Sequence, residues 1–185
     1  IKRLIVGMVE TNCYIAMNKE TKEAVIVDPG DNAPAILKNV EQMGAKVTAI
    51  LLTHGHFDHV MAMEELRNEY KVPVYAMKEE AEILADPEKN LSCNYMRNGL
   101  HLKADRLLTD GETFTEAGFS FRVLHTPGHT CGSCCYYEEE KKVLFSGDTL
   151  CGWLNEQQTD ILSILLADGD TATVYDKAAR YQLSN

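Results

Sequence analysis

Residues 50–60 read ILLTHGHFDHV and combine an apolar run with four side chains that can bind a metal ion. The apolar run, Ile50–Leu52, stops at Thr53 and predicts a buried strand. The apolar spacing from Val60 to Leu66 then predicts a helix. Imidazole and carboxylate groups together suit Zn²⁺, and also iron or manganese. The candidate ligands in the loop between strand and helix are His54, His56, Asp58 and His59.

The spacing of these side chains indicates how they share metal ions. Side chains two apart on an extended segment lie on one face, so His54 and His56 can hold one ion. Asp58 and His59 stand where the loop turns into the helix and can hold a second ion. A polar loop with histidines by chance is the competing interpretation, but three of the six histidines of the chain fall in this loop.

Elements around the loop follow from simple signals. Asn32 can cap a helix over residues 33–43, which Gly44 ends. A strand over residues 47–52 then leads into the metal-binding loop. Since a strand over 24–27 precedes the helix, the order strand, helix, strand predicts a parallel crossover.

Composition limits the class of protein. The 185 residues are 45% hydrophobic, which predicts one globular domain over 1–185. No apolar stretch is long enough to cross a bilayer, and no signal-peptide pattern opens the sequence, so we expect a cytoplasmic protein without a membrane partner. The net charge of −10, with no Lys/Arg cluster, predicts that nucleic acid is not a partner. The six cysteines form no regular framework, as expected of reduced thiols.

Two later motifs also follow predicted strands. Residues 125–133 read HTPGHTCGS, and the apolar strand Val143–Phe145 ends in the motif SGDT, residues 146–149. A carboxylate at the end of a buried strand must be paired or coordinated, because burying it alone is costly. Together with the His-x-His-x-Asp-His pattern, these motifs resemble the metallo-β-lactamase superfamily. The stretch GMVETNCYIA, residues 7–16, resembles the opening of its glyoxalase II-like (hydroxyacylglutathione hydrolase-like) members.

The resemblance implies an α/β fold, the four-layer α/β/β/α sandwich, with two divalent metal ions at one edge. Zinc is favoured, and iron or manganese is possible. The implied first site is His54, His56 and His129, and the second is Asp58 and His59. Asp148 would bridge the two ions, and Asp58 would also orient the attacking water as a catalytic residue.

The activity implied by the resemblance is hydrolysis of a small thioester or ester by a metal-bound hydroxide. One rival keeps the fold: a mononuclear iron persulfide dioxygenase with His54, His56, His129 and Asp148 around the metal. A second rival is a degenerate, non-catalytic metal-binding protein. The chain also resembles a short form of the family, without the helical domain that holds glutathione, so the implied partner is a small-molecule substrate of undefined identity.

The last metal ligand of the family has no counterpart here, because no histidine follows His129. One explanation is that the protein is longer, with loop residues missing around Trp153–Leu154 and just after Tyr175. The other is a natural deletion that removes the ligand. The first is favoured, because flexible active-site loops are the usual places for disorder and the flanking residues on both sides still resemble the family.

Several residues near the motifs keep open or secondary roles. Asp28 begins an Asp-Pro-Gly turn and either orients a ligand histidine or is a simple turn aspartate, two common roles. His125 is expected to be a hydrogen-bonded structural histidine. The Cys131-x-x-Cys134 pair lacks a second pair to complete a zinc site and is expected to be incidental. Cys151 is expected to be a packed thiol near the site.

Overall fold

The computed structural model describes residues 1–149, 172–176 and 180–183, and within these residues two six-stranded sheets form. The first sheet has the order β1-β2-β3-β4-β5-β6, antiparallel up to β3 and parallel from β3 to β6. Its strands are β1 (Lys2–Val6), β2 (Thr11–Met17), β3 (Glu23–Val27), β4 (Lys46–Leu51), β5 (Val74–Met77) and β6 (Arg106–Leu108).

The second sheet has the order β12-β11-β10-β9-β8-β7 and is antiparallel except for the parallel pair β10 and β11. Its strands are β7 (Thr113–Glu116), β8 (Phe119–His125), β9 (Cys134–Glu138), β10 (Val143–Gly147), β11 (Ala172–Asp176) and β12 (Arg180–Leu183).

Four α-helices lie in the described residues: α1 (Ala33–Met43), α2 (Phe57–Val60), α3 (Met63–Tyr70) and α4 (Ala81–Ala85). Short 3₁₀ turns occupy Lys78–Glu80 and Ser92–Asn94. The predicted ends of α1 are confirmed: Asn32 Oδ1 accepts the backbone N–H of Ala35, and Gly44 takes φ 61°. Between β3 and β4 this helix forms the predicted parallel crossover. None of the described helices has the length and apolar character that a bilayer crossing requires.

Two apolar clusters define the layers. One cluster joins α1 and α3 to the outer face of the first sheet, through residues such as Ile36, Leu66 and Ile50. The other fills the space between the sheets, where Leu51 faces Phe121 and its neighbours in the second sheet. Successive residues of β4 point into different clusters, which explains its unbroken apolar run. Helices, first sheet and second sheet thus form three layers of the predicted sandwich.

One edge of the sandwich collects the ends of several strands. β3 and β4 are parallel neighbours, so Asp28 and Thr53 follow them at the same edge. The backbone N–H of Cys134 donates to the Thr53 carbonyl at 2.9 Å, which ties the second sheet to the first there. Gly147 takes φ 51°, and a Cβ on it would fall 2.2 Å from Thr53 Oγ1, so this close approach requires glycine.

Candidate metal centre

Three histidines from two loops converge at this edge. His54 lies three residues past the end of β4 and is buried, whereas the side chain of His129 is 39% exposed on the loop after β8. One nitrogen from each of His54, His56 and His129 lies within 4.8 Å of the others. His56 Nδ1 and His129 Nε2 are 2.9 Å apart. Imidazole nitrogens that face a common point at this spacing are the donor arrangement of a first metal ion.

A second donor group lies beside the first. One atom from each of His54, His59 and Asp148 lies within 4.8 Å of the others. Asp148 Oδ1 is 3.2 Å from His59 Nε2, and Asp148 Oδ2 is 3.5 Å from His129 Nε2. Asp148 therefore directs one oxygen toward each group, as a bridging ligand must. His54 belongs to both groups, although the sequence assigned it to the first alone.

Asp28 orients His59 from behind. Asp28 is buried, and Oδ2 lies 3.1 Å from His59 Nδ1. Its two oxygens accept the backbone N–H of Thr53 at 2.8 Å and the Thr53 hydroxyl at 2.7 Å. Since Nδ1 faces Asp28, Nε2 is left to face Asp148, which is how a carboxylate fixes a metal-binding histidine. The geometry favours this role for Asp28 over that of a simple turn residue.

Asp58, a predicted ligand of the second ion, lies next to the second donor group but is not one of its three members. Its Oδ2 accepts the Thr11 hydroxyl at 2.8 Å and lies 3.6 Å from His59 Nε2. The backbone behind it is crowded, because a Cβ on Gly30 would fall 1.7 Å from the Asp58 carbonyl oxygen. The Asp-Pro-Gly turn thus packs directly against the start of α2 and fixes where Asp58 stands.

The surroundings of His56 and His59 shift the pKa values of these two histidines in opposite directions. Burial, and then His129, lower the pKa of His56 to about 4, so His56 is a neutral donor at pH 7. Burial also disfavours a charged His59, but the carboxylates of Asp28 and Asp148 overcome it and raise the pKa of His59 to about 10. A positive charge is therefore favoured between these carboxylates, and a divalent cation would supply it. The donor set fits a metal ion in type, direction and charge.

Glu80, which the sequence analysis did not single out, connects the two loops of the first group. It is fully buried and accepts the Gly55 N–H at 2.7 Å, the Gly132 N–H at 2.8 Å and the Thr130 hydroxyl at 2.5 Å. Burial raises the pKa of Glu80, and the three donated hydrogen bonds oppose that rise. An acidic residue three positions past β5, the parallel neighbour of the strand that leads into the metal loop, was the available signal.

The remaining candidates lie outside the two donor groups. His125 donates its backbone N–H to Asp110 at 2.9 Å, and its ring Nε2 lies 2.9 Å from the Cys131 carbonyl, as expected of a structural histidine. Cys134 is buried in β9 whereas Cys131 is exposed, and neither donor group found among the described residues contains a cysteine. Cys151 and the predicted site of missing loop residues around Trp153–Leu154 lie outside the described residues.

Comparisons with known sequences point to one family. A sequence model of the metallo-beta-lactamase superfamily matches residues 6–179. The hydroxyacylglutathione hydrolase GloC of Haemophilus influenzae is 36% identical over 147 residues, which cover 76% of this chain and 67% of that protein. The probable metallo-hydrolase YqgX of Bacillus subtilis is 34% identical over 152 residues, which cover 80% of this chain and 70% of that protein.

Solved structures share the fold. The BLEG-1 B3 metallo-beta-lactamase has a TM-score of 0.82 and 33% identity, covering 99% of this chain and 93% of that chain. A di-iron-bound form of the protein TTHA1623 has a TM-score of 0.75 and 27% identity, covering 100% and 94%. ETHE1 from Myxococcus xanthus has a TM-score of 0.74 and 25% identity, covering 99% and 78%. On its motifs, its fold and these matches, the chain belongs to the metallo-beta-lactamase superfamily.

Proposed function

We propose that this protein hydrolyses small thioesters or esters at a centre of two divalent metal ions. The chain belongs to the metallo-beta-lactamase superfamily, and relatives at 36% and 34% identity carry the names hydroxyacylglutathione hydrolase and probable metallo-hydrolase. The observation that carries the proposal is the position of Asp148, with one oxygen toward His59 and the other toward His129. A carboxylate between two donor groups is the arrangement that holds two cations close together.

Each side chain has a distinct task in this proposal. His54, His56 and His129 would hold the first ion, and His59 and Asp58 would contribute to the second. When bound, divalent ions lower the pKa of a water molecule and polarise the carbonyl to be attacked. Asp58, held by the Thr11 hydroxyl, would orient the attacking water. Zinc is our first choice of metal, with iron or manganese as alternatives; the di-iron form of TTHA1623 supports keeping iron among them.

The proposed substrates are small molecules rather than polymers. A net charge of −10 disfavours phosphate backbones, and we propose neither a nucleic-acid nor a membrane partner. The name of the GloC relative suggests an α-hydroxyacyl thioester of glutathione as the first compound to assay. Simple acyl thioesters and esters form the comparison set.

The test is release of thiol from these thioesters by metal-loaded protein. We expect hydrolysis that is lost on metal removal and lost in His54→Ala. Single-stranded RNA serves as the competing substrate, and nuclease activity above thioesterase activity, itself lost in His54→Ala, would overturn the proposal. No thiol release from protein with full metal content would also overturn it.

The iron dioxygenase remains the rival within the fold, since His54, His56 and His129 also suit one iron ion. The second donor group, with His59 and Asp148, favours two ions instead. Oxygen uptake with glutathione persulfide, combined with metal analysis, separates the two. The non-catalytic rival is tested by the intact mass of the protein. A mass that exceeds the 20.7 kDa of this sequence by that of a loop would favour the enzyme instead.

A further inference from the structure

The carboxylate of Glu80 lies between the two loops that carry the first donor group. Its Oε2 accepts the N–H of Gly55, in the loop after β4. Its Oε1 accepts the N–H of Gly132 and the hydroxyl of Thr130, in the loop after β8. One buried side chain therefore satisfies donors from segments that are about 75 residues apart in sequence, and water does not compete for it.

Two glycines allow the loops to approach Glu80 closely. A Cβ on Gly55 would fall 2.9 Å from Glu80 Oε2, and a Cβ on Gly132 would fall 2.6 Å from the Glu80 backbone nitrogen. Both contacts are closer than real Cβ atoms tolerate. The two loops thus pack directly against Glu80, one at its carboxylate and the other also at its backbone.

The bonded groups are direct neighbours of the candidate ligands. Gly55 stands between His54 and His56, and Thr130 directly follows His129. Thr130 is itself fixed by Ser133, whose hydroxyl accepts the Thr130 N–H at 3.0 Å. A shift of either loop relative to Glu80 would change the 2.9 Å separation of His56 Nδ1 and His129 Nε2.

We propose that Glu80 is a positioning residue for metal binding, whose carboxylate holds the His54–His56 loop and the His129 loop at the separation that the first metal ion requires. This inference rests on the proposed metal centre but not on the proposed substrate. The hydrogen bonds of the Glu80 side chain go to the loop backbone and Thr130 rather than to the three histidines, so Glu80 would act through those groups. Groups that fix ligand orientation in this way typically change metal affinity 10–100-fold when removed.

Two substitutions of Glu80 disturb its hydrogen bonds to the two loops in different ways. Glu80→Gln keeps the length but offers one acceptor oxygen, and its NH₂ would face an N–H or hydroxyl donor. Glu80→Asp keeps both acceptors but is one methylene too short to reach both loops. The matched control is Glu82→Gln in α4, because Glu82 is 78% exposed and pairs only with Lys89 on the surface.

The experiment is stepwise zinc titration of metal-free protein against a competing chelator, with thermal unfolding of the same metal-free samples. We expect Glu80→Gln and Glu80→Asp to weaken the binding of one ion about 10–100-fold, and the other ion less, while Glu82→Gln matches the parent protein. Lower thermal stability with unchanged zinc affinity would show that Glu80 is structural only and would overturn the proposal. Equal weakening in Glu82→Gln would overturn it as well.

The outcome is separable from the proposed hydrolase activity, because zinc affinity is measured without a substrate. Weaker zinc binding in the Glu80 variants supports the positioning role even if the parent protein hydrolyses no thioester. Should both Glu80 variants fail to fold, Thr130→Val removes one of the three hydrogen bonds and leaves the carboxylate in place. A Thr130→Val protein that folds and binds zinc as tightly as the parent would then count against the proposal.

Discussion

At the scale of single residues, the centre depends on carboxylates that face more than one partner. Asp148 lies between His59 and His129, and Asp28 lies between His59 and Thr53. A carboxylate fixed on both sides cannot turn away when the metal binds. These two aspartates therefore offer the sharpest single-residue tests.

Asp148→Asn should expel at least one metal ion, because it removes one negative charge from between two dications. We expect hydrolysis to fall about 100-fold or more, at least as much as when an orienting neighbour of a ligand is lost. His125→Ala is the control, because His125 bonds to the Cys131 carbonyl and lies outside both donor groups. Metal analysis and rate measurements on both variants are the check. If Asp148→Asn kept full metal and rate while His125→Ala lost both, our assignment along residues 125–149 would be wrong.

Metal-free protein should lose stability as the pH rises through the range in which His59 gives up its proton. The folded-state pKa of His59, about 10, is above the value of about 6.5 expected when unfolded. The protonated His59 therefore makes its full contribution to the free energy of unfolding below pH 6.5, and this contribution is lost as the pH rises from 6.5 to 10. Asp28→Asn removes a carboxylate that raises this pKa, so its stability should vary less with pH. Thermal unfolding in the presence of a chelator, from pH 6 to 10, measures this pH dependence. Glu82→Gln is expected to follow the parent curve.

At the scale of elements, the centre is built from strand ends and tight turns. The Asp-Pro-Gly turn after β3 packs on the start of α2, where the Ala62 N–H donates to the Pro29 carbonyl at 3.0 Å. The position of Asp58 thus depends on a turn about 30 residues earlier in the chain. This contact can be tested without touching any candidate ligand.

Gly30→Ala should destabilise the protein and weaken the second metal group, because the added Cβ would lie 1.7 Å from the Asp58 carbonyl oxygen. Overpacking of this kind costs about 1–3 kcal/mol or more. Gly44→Ala is the matched control. The alanine must adopt φ 61° at the end of α1, which is strained, but its Cβ would meet no atom within 4 Å. Denaturant unfolding should show losses in both variants, whereas metal content should fall only in Gly30→Ala. Full metal in Gly30→Ala would contradict this picture of the turn.

The elements near strong local signals could be predicted from the sequence, and those set by long-range contacts could not. The strand predicted over 47–52 is observed at Lys46–Leu51, and α1 ends where Asn32 and Gly44 indicate. Period, caps and metal motifs are local, so one stretch of sequence is enough to identify them. Glu80 was missed because its partners, Gly55 and Gly132, carry no side chain that marks them. The role of His54 in both groups also depends on a tertiary distance that spacing does not give.

At the scale of the whole molecule, the second half of the chain completes a centre that the first half begins. Purified protein should carry more than one equivalent of zinc, iron or manganese per chain; less than a tenth after metal-supplemented expression would contradict the metal centre.

His56→Ala should lose the first ion, and Asp58→Ala should mainly weaken the second. His54→Ala should affect both, because His54 belongs to both donor groups. Metal analysis of the three variants checks these outcomes. The single domain over 1–185 stays a prediction, since residues 150–171 lie outside the described part.

The division of the donors between two sheets also has a consequence for protein synthesis. His56 and His129 are 73 residues apart, a distance that a ribosome covers in about 4–15 s at 5–20 residues per second. During that interval the nascent chain presents His54, His56 and His59 as an incomplete chelator, without the groups that close around an ion. Any ion captured then is held by few ligands and exchanges readily. We therefore expect the finished protein, rather than the nascent chain, to select the metal from the ions that its surroundings offer.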